Sequence, residues 1–180
     1  MEQTFALGEY GKHLWTRDLA RKIRVRVVEG LAELAPGDVL VIDAQGVEVF
    51  DFSFANELFG KLLLELPKDH SGRFVIVEHL TAYTRENLAK ALESLGLVII
   101  ERKGKKLEML GKAHTVDQQT FNVIAQAKES ITAAELKEKL GINLNAMNER
   151  LTKLTGLGLV RREKTVSGAG REQYEYRVLS

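Results

Sequence analysis

The chain has 180 residues, 44% hydrophobic and 28% charged, which allows one large domain or two small ones and excludes a disordered chain. Its 26 Lys and Arg against 25 Asp and Glu leave a net charge of +1, so any nucleic-acid affinity must come from a local patch. The lack of cysteine removes disulfides, thiol catalysis and cysteine zinc sites, and no apolar run approaches the ~20 residues of a membrane helix. With no basic and then apolar leader in MEQTFALGEYGKHLW, a cytoplasmic protein is expected, with no membrane partner.

In chain order, residues 4–7 are a short edge-strand candidate, and Gly8 and Gly11 mark a turn. Thr16 is placed as an N-cap with Asp18 in the first turn. Leu19, Ile23, Val27, Leu31 and Leu34 follow at helical spacing. Ile23, Val25 and Val27 also alternate as in a strand, but the longer period favours a helix ending before Pro36-Gly37. Arg17, Arg21, Lys22 and Arg24 make its opposite face basic, and a solvated face is the expectation.

Residues 39–66 are the stretch around which the remainder is organised. Val39, Leu40, Val41 and Ile42 read as a buried strand, and Asp43 and Gly46 force a bend. Asp51 and Ser53 are helix-start residues before Phe54, Leu58, Leu62 and Leu66, which recur every four residues with Phe59 and Leu63 beside them. Unpaired N–H groups at such a helix start favour negative charge, so a phosphate on Ser53 would sit well there. The plainer reading is that Ser53 caps the helix.

Residues 67–72 are expected to be a polar turn and residues 73–80 a strand with Phe74, Val75, Ile76 and Val77 buried. Thr84 or Thr81 caps the next helix, whose stripe is Leu88, Ala91, Leu92 and Leu95 and which Gly96 ends. Residues 98–102 form a strand, Gly104 a turn, and residues 107–110 its hairpin partner. Alternating strands and helices over residues 1–112 predict an α/β domain, a mixed sheet with helices packed on it.

Ile42-Asp43, Gly46-Val47 and Ser53-Phe54-Ala55-Asn56-Glu57-Leu58-Phe59-Gly60, together with the Thr16-Arg17 helix start, resemble the STAS-like domain of unknown function. That domain is a relative of the STAS domains of anti-sigma-factor antagonists. In those antagonists an Asp-Ser-Ser-Gly-type motif at this helix start carries a serine that a partner kinase phosphorylates. Asp51 and Ser53 fall on its first and third positions, and Phe52 and Phe54 replace its first serine and its glycine. The resemblance implies a sensing or protein-partner surface at Asp51, Ser53 and Asn56.

Beyond a linker at residues 111–116 the pattern changes. Asp117 opens a helix through Phe121, Ile124 and Ala125, and Thr132 caps a second over residues 133–140, stopped by Gly141. Asn143 or Asn145 starts a third, with Met147, Leu151 and Leu154 inward and Gly156 or Gly158 at its end. Residues 159–166 and 173–179 alternate around Ser167-Gly168-Ala169-Gly170 as a hairpin. Three short helices and a hairpin over residues 117–180 predict a winged helix-turn-helix domain. The Leu-Gly-Ile between its second and third helices and Leu154-Thr155-Gly156-Leu157-Gly158-Leu159-Val160 resemble the MarR and ArsR types of bacterial regulator.

A recognition helix inserts its exposed face into the major groove. Here the outward set is Asn145, Asn148, Glu149, Thr152 and Lys153: Asn148 suits an adenine edge, Thr152 or Lys153 a phosphate or base, and Glu149 can accept from cytosine N4 but repels the phosphate backbone. Arg161, Arg162, Lys164 and Arg171 flank the glycine-rich tip and suit phosphate or minor-groove contact, although Lys and Arg also guard edge strands. Residues 114–180 hold ten basic and eight acidic side chains, only +2. The expected partner is double-stranded DNA, bound by a homodimer if the base rate for such regulators holds.

No catalytic motif and no cofactor signature emerge. His13, His70, His79 and His114 are scattered without metal-ligand spacing, and Glu78 and His79, as neighbours on a strand, should face opposite ways. Ser167-Gly168-Ala169-Gly170 lacks the Lys-Ser or Lys-Thr of a phosphate loop, and Asp43 and Asp51 are a weak cation signal. The reading is a non-enzymatic DNA-binding regulator under a STAS-like domain. Its alternative is a protein-interaction switch of the anti-sigma-factor-antagonist type, phosphorylated at Ser53.

Overall fold

The computed structural model describes residues 1–179, which divide into two compact units, Met1–Ala113 and one beginning at His114. Among the described residues no helix is long and apolar enough to cross a membrane.

The first unit is a mixed α/β layer. Strands β1 (Glu2–Ala6), β3 (Val39–Asp43), β5 (Phe74–Glu78) and β6 (Val98–Lys103) lie parallel, and β7 (Lys106–Gly111) closes the edge as the antiparallel partner of β6. A two-residue pair, β2 (His13–Leu14) with β4 (Val49–Phe50), forms a separate small ladder that the alternation in the sequence is too short to reveal.

Strand order follows chain order, β1-β3-β5-β6. Right-handed crossovers that always step the same way put every helix on the same face of the sheet. Accordingly α1 (Arg17–Glu33), α2 (Phe52–Ala55), α3 (Lys61–Asp69) and α4 (Ala82–Leu95) share one core with Leu40, Ile42, Val75, Val77, Ile99 and Leu110. The sheet therefore has no point where the winding reverses, and so lacks the crevice at which doubly wound sheets bind nucleotides.

Local chemistry explains the helix ends. Thr16 accepts a hydrogen bond from the Leu19 N–H at 3.3 Å, and Thr81, rather than Thr84, caps α4 through the Thr84 N–H at 3.1 Å. Gly96 closes α4 in the left-handed conformation, φ 69°. Between α2 and α3 the helix widens into a π turn over Asn56–Gly60. Its cause lies in the side-chain spacing: each four-residue step overshoots a 3.6-residue turn by ~40°. Phe54, Leu58, Leu62 and Leu66 would thus drift around an ideal helix, and the wider turn returns them to the core, where all are buried.

The readings of the segment after α3 and of the α1 face are corrected. Residues 67–72 are not all turn, because α3 continues through Pro67 to Asp69. Proline removes the bond to the carbonyl one turn back, but so close to the helix end the loss is small. The basic face of α1 is not simply solvated either. Arg24 donates to both oxygens of Glu65 at 2.7 Å, and with Arg21 it stands 3.6 Å from Glu57, a carboxylate only 1% exposed. Lys61 reaches the other oxygen of Glu57 at 2.8 Å. Burial by itself would raise the Glu57 pKa; the Lys61 hydrogen bond and the charges of Lys61, Arg21 and Arg24 outweigh it and hold the carboxyl below its usual range.

The second unit contains α5 (Thr115–Gln126), β8 (Ile131–Thr132), α6 (Ala133–Leu140), α7 (Leu144–Gly156), β9 (Val160–Val166) and β10 (Glu172–Val178). Its sheet is antiparallel in the order β8-β10-β9. Phe121, Ile124, Ile131, Leu136, Met147, Leu151, Leu154 and Tyr176 are among its buried apolar residues. Strand β8 escapes a reading by periodicity because it is two residues long and runs straight into the α6 cap.

Candidate nucleic-acid interface

The polar surface of the second unit is positioned by two well-terminated helices. Thr132 and Glu135 form a reciprocal capping box on α6: Thr132 Oγ1 accepts from the Glu135 N–H at 3.2 Å, and Glu135 Oε2 accepts from the Thr132 N–H at 2.8 Å. That backbone bond holds the Glu135 carboxyl below its ordinary pKa. Gly141 ends α6 in the left-handed region, φ 64°, a conformation that favours glycine and allows the sharp turn into α7. Asn143, not Asn145, then caps α7 by accepting from the Ala146 N–H at 2.8 Å.

With Met147, Leu151 and Leu154 buried, α7 presents Asn145, Asn148, Glu149 and Thr152 outward. Their i, i+3, i+4, i+7 spacing makes one stripe along the helix. The side chains of Asn145, Asn148 and Thr152 make no hydrogen bond among the described residues, so their donors and acceptors face solvent. Asn143, Leu144, Asn145, Ala146 and Glu149 line a shallow depression of about 550 Å³ at the helix start.

Lys153 is placed differently from its expected role. Its ammonium is bound to Asp117 of α5, a carboxylate only 4% exposed, and Arg150 beside it donates to Thr120 Oγ1 at 3.4 Å. Both cations thus tie α7 to α5. Helical spacing could not show this, because the partner lies 36 residues away.

The hairpin β9–β10 carries the remaining cations. Arg162 lies over the Tyr174 ring, 4.6 Å from its centroid, and Lys164 pairs with Glu172 at 2.7 Å. Arg161 is partly buried opposite Arg177 in the ladder, and Arg177 in turn is paired with Glu163. At the tip, the Ser167 N–H donates to the Arg171 carbonyl at 2.8 Å and the Arg171 N–H to Ser167 Oγ at 3.1 Å. The Arg171 guanidinium is exposed and has no partner among the described residues. Among the wing cations, it is therefore the one placed most freely for an anionic ligand.

In the first unit, Asp51, Ser53 and Asn56 lie close together on one helical stretch. Asp51 Oδ1 accepts from the Phe54 N–H at 2.7 Å and is the cap of α2. Ser53 is the second residue inside the helix and not its cap, since Asp51 is the last residue with extended backbone, φ −85° and ψ 172°. Asn56 opens the π turn and is partly exposed.

The structure also assembles a group that the sequence reading separated. Glu78 ends β5, and His79 adopts φ 57° instead of continuing the strand. The alternation that should have sent the two side chains to opposite faces stops there, and His79 Nδ1 comes within 2.7 Å of Asp43 Oδ1 and 3.8 Å of Glu78 Oε1. The aligned ends of two buried strands, with an Asp on one and Glu-His on the other, were the available signal. Asp51 takes no part in this group.

No family model and no curated protein matches this chain. Among solved structures, the chain is similar to a possible transcriptional regulator from Methanosarcina mazei Go1, at 16% identity and a TM-score of 0.35. The match covers 38% of this chain and 57% of that one, so this chain spans little more than half the length of the protein it matches. A likeness this loose carries no argument about activity or partner.

Proposed function

We propose that the chain is a DNA-binding transcriptional regulator: residues 117–180 act as a winged helix-turn-helix, and residues 1–112, a STAS-like domain, bind a partner or signal that controls it. The observation that carries this reading is the solvent-facing stripe Asn145, Asn148 and Thr152 on α7, which has no internal hydrogen-bonding duty, together with the open guanidinium of Arg171 at the hairpin tip. In this reading α7 enters the major groove, where Asn148 pairs with an adenine edge, and the hairpin contacts phosphate or the minor groove. Arg161 and Arg162 support the backbone contact, while Lys153 contributes by fixing α7 in place. No catalytic step and no cofactor is part of the proposal.

The test is binding of the purified chain to fragmented genomic DNA at moderate salt, followed by sequencing of what is retained. A few enriched sites, lost when Arg161→Ala and Arg171→Ala are combined, support the reading. No enrichment sinks it.

A second reading, a protein-interaction switch, has its own observation. Lys153, Lys164 and Arg177 are all engaged by carboxylates, and Glu149 sits on the outward stripe, so few cations are left for DNA. In that case Ser53 would be the regulated position and a protein the partner. Comparing DNA affinity for Ser53→Asp and Ser53→Ala separates the two: equal affinities remove Ser53 from any control of DNA binding. Co-purification with a kinase or sigma-related protein would favour the switch.

A further inference from the structure

We infer that the C-terminal edge of the parallel sheet carries a site for a divalent ion of the zinc class, built by Asp43, Glu78 and His79. Asp43 and Glu78 are register partners on adjacent strands, so their carboxylates leave the sheet on the same face. The left-handed backbone of His79 returns its imidazole to that face. One ligand atom from each of the three lies within 4.8 Å of the others.

Zinc bound by nitrogen and carboxylate oxygen at about 2.0–2.2 Å in a tetrahedron holds its ligands roughly 3.3 Å apart. The separations here are 2.7 Å for His79 Nδ1 to Asp43 Oδ1 and 3.8 Å for His79 Nδ1 to Glu78 Oε1. Displacements of about half an ångström bring both to the tetrahedral spacing. His79 then binds through Nδ1 and carries its proton on Nε2.

The oxygens are available and already oriented. Asp43 Oδ1 accepts from the Gln45 N–H at 2.8 Å, and Asp43 Oδ2 has no hydrogen-bond partner among the described residues. Arg102 Nε holds Glu78 Oε2 at 2.7 Å, which leaves Oε1 turned toward His79. Hydrogen bonds of this outer kind fix the carboxylates of metal centres. Arg102 also donates to Glu2 at 2.8 Å, so its charge is shared between two carboxylates.

The donor set selects the ion. One imidazole and two carboxylates leave a coordination position for water, the pattern of an open zinc site, whereas magnesium and calcium prefer oxygen throughout. Solvent can reach that position, because the His79 side chain is 55% exposed against 18% and 15% for Asp43 and Glu78.

The test uses the full chain, stripped with a chelator and titrated calorimetrically with ZnCl2, with CoCl2 and visible absorption as a second readout. The expected result is one saturable equivalent and the absorption of a four-coordinate cobalt ion. His79→Ala and Asp43→Asn should each weaken binding at least tenfold, about the loss that even outer partners of a metal cause. His70→Ala should leave it unchanged, and circular dichroism confirms that each variant is folded; Asp43→Asn, being isosteric, stands alone if His79→Ala is not. Absence of saturable zinc binding, binding that survives both substitutions, or equal affinity for MgCl2 would each overturn the inference. The assay contains no DNA, so its outcome is independent of the proposed regulator role.

Discussion

The two units of this chain use ionic side chains in contrasting ways. In the first unit, carboxylates go inward and cations follow them: Glu57 and Glu101 are each 1% exposed, the one ringed by Lys61, Arg21 and Arg24, the other held by Arg85 at 2.7 Å. Among the described residues of the second unit, Asp117 is the one buried carboxylate, and Lys153 answers it. The stripe Asn145, Asn148, Glu149 and Thr152 of α7 faces water. A basic residue in the first unit is thus mostly a structural tie, whereas in the second its role depends on whether a carboxylate is within reach. Counting lysines and arginines along the sequence does not make that distinction.

This contrast can be broken by substitution. The largest effect is expected where a buried charge loses its partners or the core loses a ring. Phe54, fully buried and stacked on Phe50 at 5.6 Å, should cost about 3–5 kcal/mol when changed to alanine. Urea unfolding measures it, and a loss below 1 kcal/mol would contradict the packing described.

Glu57→Ala removes the buried carboxylate on which Lys61, Arg21 and Arg24 converge; Arg24 keeps Glu65, and Arg21 and Lys61 reach water, so the cost should be about 1–2 kcal/mol. A neutral or stabilising result would show that the carboxylate contributes nothing net.

Lys153 and Arg171 sharpen the comparison inside the second unit. Lys153→Ala leaves Asp117 buried and unpaired, so stability should fall by about 1–3 kcal/mol. Arg171→Ala should leave stability within about 0.5 kcal/mol. If the chain binds DNA, that same change lowers affinity uniformly across sequences and reduces the slope of log K against log salt by about 1. The two variants exchanging these phenotypes would reverse the assignment.

The smallest effect concerns acid. Lys106 and then Lys103 bring the Glu108 carboxyl down to about 2, and Glu57 also titrates below its usual range. A depressed carboxylate contributes stability above its unfolded pKa, near 4.5, and that contribution is lost as pH falls toward the folded value. Melting temperature should therefore drop between pH 4.5 and 2, and Lys106→Ala should flatten the drop slightly. Lys106 is 74% exposed, so the difference should stay at or under about 1 kcal/mol.

Much of the architecture was legible because it is local. The apolar runs of β3 and β5, the caps at Thr16 and Thr132, the glycine stops at Gly96 and Gly141 and the inward triplet Met147, Leu151 and Leu154 follow from side-chain period and backbone preference within a few residues. The outward stripe of α7 follows as its complement. Tertiary structure decided what depends on residues distant in the chain: that Lys153 answers Asp117, that the basic face of α1 closes over Glu57, and that a π turn rephases the helix after Asp51. It also turned His79 out of its strand to meet Asp43, 36 residues earlier. Sequence period reports which side of an element is apolar; only the packing of elements against each other determines which charge finds which partner, because that energy depends on distances in space.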